Sequence, residues 1–197
     1  MTVIATVGLP GSGKGEFAEV ARDEGVPVVT MGDVVRQACR DRGLDPETHH
    51  GDVARQLREE DGETAIADRT IPPVREYLDS GADVVLVDGV RSGVEVERFE
   101  EAFGDSFVLV SVAAPFEQRA ERLRDRGRDE SDLTDEALRA REERELGFGM
   151  GEAIEMADAT VENTAGLAEY RDRVRSILRD PEAALEGVDP VGAEDGR

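Results

Sequence analysis

Short apolar runs alternate along this chain with longer segments whose apolar residues recur every three or four positions. The runs are Thr2–Val7, residues 26–30, Val84–Asp88, Phe107–Ala113 and Ala159–Glu162. Each is apolar at nearly every position, as expected of strands buried on both faces. Between them, Val34, Val35, Ala38 and Cys39 share one helical face, as do Val53, Ala54 and Leu57, and again Phe116, Ala120 and Leu123. Strands alternating with amphipathic helices predict an α/β protein with a parallel sheet covered on both faces.

Some fifty residues between the second and third runs carry no strand pattern. A simple crossover needs far fewer, so this stretch predicts a small helical subdomain within residues 33–80. Pro72-Pro73 predicts a break inside it, because the residue before a proline resists helical geometry. Residues 181–197 are poor in apolar side chains and rich in Asp, Glu, Gly and Pro, which predicts an acidic flexible tail. Residues 1–180 then read as one domain of ordinary size.

Charge narrows the partners. The chain holds 46 acidic against 24 basic residues, a formal net charge of −22. Such a surface repels nucleic acid and anionic membrane, so nucleic acid would be met only through a ribonucleoprotein. High salt screens the self-repulsion, and the composition suits a salt-rich, halophilic cytoplasm. Cys39 is the only cysteine, which excludes an internal disulfide and points to a reducing compartment. The amino terminus has no signal-peptide pattern, and no run reaches ~18 apolar residues. The expectation is a soluble, cytoplasmic protein.

Lys14 is the only lysine, and it sits in Gly8-Leu9-Pro10-Gly11-Ser12-Gly13-Lys14-Gly15, directly after the first apolar run. The spacing is that of a phosphate-binding loop. Glycines let backbone N–H groups turn around phosphate oxygens, the following helix adds its positive amino end, and the lysine reaches the β- and γ-phosphates. ATP with Mg²⁺ is the cofactor pair this implies. The Ser or Thr expected after the lysine is Gly15, so no hydroxyl stands there to bind the metal directly. This G-x-P-G-x-G-K-G run resembles the loop of adenylate kinase and related nucleoside monophosphate kinases. Those enzymes usually continue with threonine, where this chain has Glu16.

Further segments extend the resemblance. Thr30-Met31-Gly32-Asp33-Val34-Val35-Arg36 is similar to the segment where these kinases begin their acceptor-binding subdomain. The resemblance implies that Arg36 grips the acceptor phosphate and that Asp33 lies near the metal, while its position also suits a helix cap. Val84-Val85-Leu86-Val87-Asp88-Gly89-Val90-Arg91 brings a carboxylate to the carboxyl edge of the sheet, where open α/β sheets bind ligands. By resemblance Asp88 holds water-coordinated Mg²⁺ and Arg91 binds the acceptor or transferred phosphate, one residue short of the adenylate kinase spacing. Arg119, Arg122 and Arg126 line one side of a helix and are followed by Gly127-Arg128. They resemble a very short arginine-bearing lid, near residues 124–133, with Arg126 and Arg128 offsetting charge on the transferring group. Arg141 or Arg144 of the next helix adds to it in that reading. Asp158-Ala159-Thr160-Val161-Glu162-Asn163-Thr164 looks like the last strand and turn beside the adenine, and His49-His50 reads as a surface turn after Asp45-Pro46.

Together these segments cover most of residues 1–178 and resemble an archaeal family of P-loop nucleotide kinases related to adenylate and cytidylate kinases. The implied fold is a P-loop three-layer sandwich with a five-stranded parallel sheet and a short lid. The implied activity is transfer of the ATP γ-phosphate to a small phosphorylated acceptor, most simply a nucleoside monophosphate. Two alternatives stay open. One is a hydroxyl acceptor, as in dephospho-coenzyme A kinase, with Asp33 or Asp88 as general base. The other is an ATPase switch acting on a macromolecular partner.

Overall fold

The computed structural model describes residues 1–126 and 134–181, without the side chain of Arg126. Arg128, most of the expected lid and nearly all of the acidic tail therefore lie outside the described residues, as does the Arg126 guanidinium. Five strands, β1 (Thr2–Val7), β2 (Val28–Thr30), β3 (Val84–Asp88), β4 (Phe107–Ala113) and β5 (Ala159–Glu162), form one parallel sheet in the order β2-β3-β1-β4-β5. In this register Asp88 lies opposite Thr6 on one side and Thr30 on the other. Three polar residues thus finish at one level of the carboxyl edge.

Alternation along the strands divides the core. Val3, Ala5 and Val7 face the same way as Val85 and Val87, toward α2 (Met31–Asp41), α3 (Pro46–Asp61), α4 (Ala65–Asp79), α5 (Gly93–Phe103) and α8 (Gly151–Glu155). Ile4 and Leu86 face the other layer, made by α1 (Lys14–Asp23) and α9 (Leu167–Arg179). Phe99 stacks against Phe103 and Phe107, with centroids 6.4 and 5.7 Å away, and so ties α5 to β4. Outside this sandwich, α6 (Phe116–Arg126) and α7 (Asp135–Glu145) pair through Ala120, Leu123 and Leu138.

Two local expectations are corrected. Helix α4 runs through Pro72 and Pro73 without ending. The ring constraint costs two backbone donors, but buried Ile66, Ala67, Thr70, Ile71 and Val74 flank the pair and hold the helix on the core. The histidines do not form a surface turn. Asp45 accepts the Glu47 N–H at 3.0 Å, Pro46 takes the first helical position, and His49 and His50 lie inside α3. With α2 and α4, this helix fills the stretch between β2 and β3.

Many exposed arginines pair with carboxylates one helical turn away, as Arg22 with Glu19 and Arg55 with Glu59. Such pairs contribute little individually, and the excess of 22 negative charges outweighs them. Thermal unfolding followed in rising KCl should show Tm increasing by several degrees between about 0.2 M and about 3 M. A Tm independent of salt would mean that self-repulsion does not limit this fold.

Candidate active site

The site is built on the turn between β1 and α1. Gly8, Gly11 and Gly13 take positive φ, and α1 begins at Lys14. A side chain could not stand at Gly13, where φ is 123° and a Cβ would lie 2.3 Å from Asn163 Nδ2. Gly8 is equally tight, since a Cβ there would lie 2.4 Å from the Val112 carbonyl. Neighbouring segments thus close on the outside of the loop.

The carbonyl oxygens of this loop are held from behind. Arg119 donates to Pro10 O at 3.4 Å, and Arg122 to Gly11 O and Ser12 O at 3.3 Å each. Asn163 Nδ2 donates to Ser12 O at 2.8 Å, and the Tyr170 hydroxyl to Gly13 O at 3.1 Å. Lys14 bends back onto Gly8 O and, at 3.3 Å, Leu9 O. Arg119 is itself buried and paired with Glu142 of α7. The first two members of the arginine stripe are therefore braces of the loop, where a lid had been expected. Their place beside the apolar Phe116/Ala120/Leu123 face was the sequence signal for this, because it puts them at the buried edge of α6.

In front of the loop lies a cleft of about 540 Å³, reaching from Lys14 across the carboxyl edge of the sheet to α3. Lys14, Arg36, Arg58, Arg91 and Arg141 line it, with Asp88 and Glu95 as its only carboxylates among the described residues. The surface is acidic and the cleft is cationic. Arg36 pairs with Asp33 at 2.6 Å, and Arg58 with Glu95 at 3.1 Å. The Arg91 guanidinium has no carboxylate partner among the described residues. Its backbone N–H donates to Glu95 Oε2 at 2.9 Å.

Glu95 was missed by sequence reasoning, although Ser92-x-x-Glu95 is a capping box in outline. Its N–H donates to Ser92 Oγ at 3.3 Å, and its fully buried carboxylate holds both Arg58 and the turn that carries Arg91. Arg58 itself had no distinguishing pattern. His50 was seen but assigned to the surface. It lines the cleft, with an imidazole hydrogen bond to the Gly32 backbone. Burial, with the charges of Arg91 and Arg36, lowers its pKa and keeps it neutral.

The two expected metal carboxylates are not brought together. Asp33 stands two residues inside α2 and caps nothing, since the N-cap is Thr30. Its side chain is 65% exposed, reaches Arg36 and lines a groove outside the cleft. Asp88 faces the cleft and accepts from Thr6 Oγ1 at 3.2 Å. Burial raises its pKa, against the opposing charge of Lys14 and the Thr6 hydrogen bond.

The donor set fits a phosphate chain well. Ser12 Oγ, at the centre of the loop, is buried with no hydrogen-bond partner among the described residues. A hydroxyl orphaned in that position leaves a polar group to be satisfied by a ligand. Among the described residues no group of three or more His, Cys, Asp or Glu is poised for a metal. A single carboxylate suits an ion carried mostly by phosphate oxygens and water, the usual manner of Mg²⁺. Glu16 does not approach such a ligand unopposed, because Arg171 of α9 holds it at 2.5 Å.

Loop, sheet order and cleft define a P-loop protein of kinase-like fold. Shikimate kinase from Bacteroides thetaiotaomicron superimposes with a TM-score of 0.59 at 15% identity, over 90% of this chain and 98% of that one. A gluconokinase from Sinorhizobium meliloti gives 0.55 at 20% identity, over 94% and 91%. A family model described as an AAA domain matches residues 4–146. The UPF0200 protein of Halobacterium salinarum is 54% identical over 178 residues, 90% of this chain and 93% of that protein. That of Methanosarcina mazei is 45% identical over 188 residues, 94% and 99%. The chain belongs to the UPF0200 family.

The raised pKa of Asp88 has a measurable consequence. A carboxyl group held above its unfolded value favours folding when protonated, and that contribution is lost as pH rises through the folded pKa. Asp88→Asn should therefore raise Tm over wild type near pH 7, with the gap narrowing as pH falls through the carboxylate range. An unchanged or lower Tm at pH 7 would show that the Lys14 and Thr6 contacts outweigh burial.

Proposed function

We propose that this protein is an ATP-dependent phosphotransferase whose acceptor is a small phosphorylated molecule, most simply a nucleoside monophosphate. The observation that carries the reading is the cationic cleft facing the loop, and within it the Arg91 guanidinium, which makes no direct ion pair among the described residues of so acidic a chain. An arginine left without an acidic partner beside a phosphate loop is suited to an anionic substrate.

In this reading, backbone N–H groups from Gly11 to Gly15 surround the β- and γ-phosphates, and Lys14 leaves the Gly8 and Leu9 carbonyls to reach them. Arg36 and Arg91 orient the acceptor phosphate, with Arg58 and Arg141 adding charge. Arg126 and Arg128 would act from the lid segment. An acceptor oxygen attacks the γ-phosphorus as the bond to the bridging β,γ-oxygen breaks, and ADP departs. Because the acceptor is already an anion, positioning and electrostatics carry the rate. Mg²⁺ would neutralise charge on the phosphate oxygens, held through water by Asp88. Asp33 lines no part of the cleft and, paired with Arg36, is not assigned to the metal in this reading.

A hydroxyl acceptor, of the dephospho-coenzyme A kinase type, is a second reading. It is favoured by His50, a neutral imidazole in the cleft that could serve as general base. The switch reading loses one support, because Arg171 offsets the charge of Glu16.

Incubation with Mg-ATP in high KCl against each nucleoside monophosphate and dephospho-coenzyme A, beside an acceptor-free control, separates the three. One rapidly formed phosphorylated product names the acceptor. Slow ADP release in every sample alike would point to the switch. Lys14→Ala should lower kcat roughly 100-fold or more while the fold persists, and Arg91→Ala should raise KM for the acceptor far more than for ATP. Wild-type turnover in a folded Lys14→Ala protein would sink the proposal.

A further inference from the structure

A second cavity, of about 470 Å³, adjoins the cleft and shares Arg58 and Arg91 with it. Its far wall is Phe148. The chain has six phenylalanines, and Phe148 alone is exposed, at 81%. The other five are buried or half-buried. Arg58, Arg91, Glu63, Glu145 and Glu152 line the same cavity, so an exposed apolar ring there stands in a space otherwise walled largely by charged groups.

The backbone around it is constrained. Leu146–Met150 joins α7 to α8 through a kink at Gly149, which leaves helical geometry. Gly149 takes φ of 98°, and a Cβ there would stand 3.1 Å from Ser92 Cβ. Met150, 3% exposed, anchors the turn in the core. Ser92 directly follows Arg91, whose backbone N–H is bound by buried Glu95. Contact between Gly149 and Ser92 therefore ties the turn carrying the ring to the turn carrying the guanidinium. Arg58 is tied to the same carboxylate.

We infer that the second cavity is the base subsite of a nucleotide acceptor, with the base stacked on Phe148 and its phosphate at the junction with the cleft, on Arg91 and Arg36 with Arg58 adding charge. The inference rests on the phosphotransferase reading and narrows its acceptor class. An anion at the junction and an aromatic wall beyond it match a ligand with a phosphate at one end and a flat π-face at the other. A sugar acid or polyol has the charge or the hydroxyls but no π-face to stack. Every base has such a face, so stacking alone accepts several bases.

The test is steady-state kinetics of the full chain with the nucleoside monophosphates, and with gluconate and shikimate as flat-face-free acceptors. Binding of the same monophosphates is followed in parallel by isothermal titration. Phe148→Ala should raise KM and Kd for the nucleotide acceptor about tenfold, leaving kcat and KM for ATP within about twofold. Phe148→Tyr, which keeps the ring, should behave as wild type. An acceptor KM unmoved in Phe148→Ala, or efficient use of gluconate or shikimate, overturns the subsite and leaves a kinase standing. No product from any acceptor, with no monophosphate binding by a protein that still binds ATP, overturns the phosphotransferase reading together with it.

Discussion

A phosphate loop can turn its N–H groups toward a ligand only if its carbonyl oxygens are satisfied somewhere else. Here they are satisfied by side chains from three distant parts of the chain. Arg119 and Arg122 come from α6, Asn163 from the end of β5, and Tyr170 from α9. Buried carbonyls without such partners would cost on the order of 1–3 kcal/mol each. The loop therefore exists in this form only when the fold is closed around it. Arg119 is secured in turn by Glu142 of α7, so a helix beyond α6 helps to shape the loop.

Charge is sorted with the same economy. The chain carries 22 more negative than positive charges, yet the cleft gathers a lysine and four arginines about two carboxylates. Buried ion pairs are weak contributors to stability, because desolvation offsets attraction. Glu95 with Arg58 is better understood as a means of orientation. Its carboxylate fixes one guanidinium and the turn bearing another, and both then face a common space. Arg91, exposed to solvent, makes no ion pair among the described residues, which leaves its guanidinium available to an anion.

The strands, the helices around them and the loop were legible in the sequence because each is encoded locally. Apolar runs specify buried strands, and glycine spacing with a lysine specifies the turn. What was misread depended on partners remote in the chain. Pro72-Pro73 looked like a stop, but core burial on either side carries α4 through. Asp33 and Arg36 lie three residues apart on α2, and only the docking of that helix decides that Arg36 lines the cleft while Asp33 lines a groove outside it. His50 had no sequence mark of its cleft position, since α3 reaches the site by folding back over α2.

By itself the sequence determined the α/β class, the strand set, the loop and the acidic surface, because periodicity, backbone freedom and net charge are sums over neighbouring residues. The tertiary structure decided which charges converge. It turned two supposed lid arginines into braces, buried Glu95 beneath Arg58 and Arg91, and set Phe148 at the edge of their cavity. Those outcomes depend on the crossing of helices separated by tens of residues in the chain. Packing and desolvation select that geometry over the whole molecule, and no local pattern carries it.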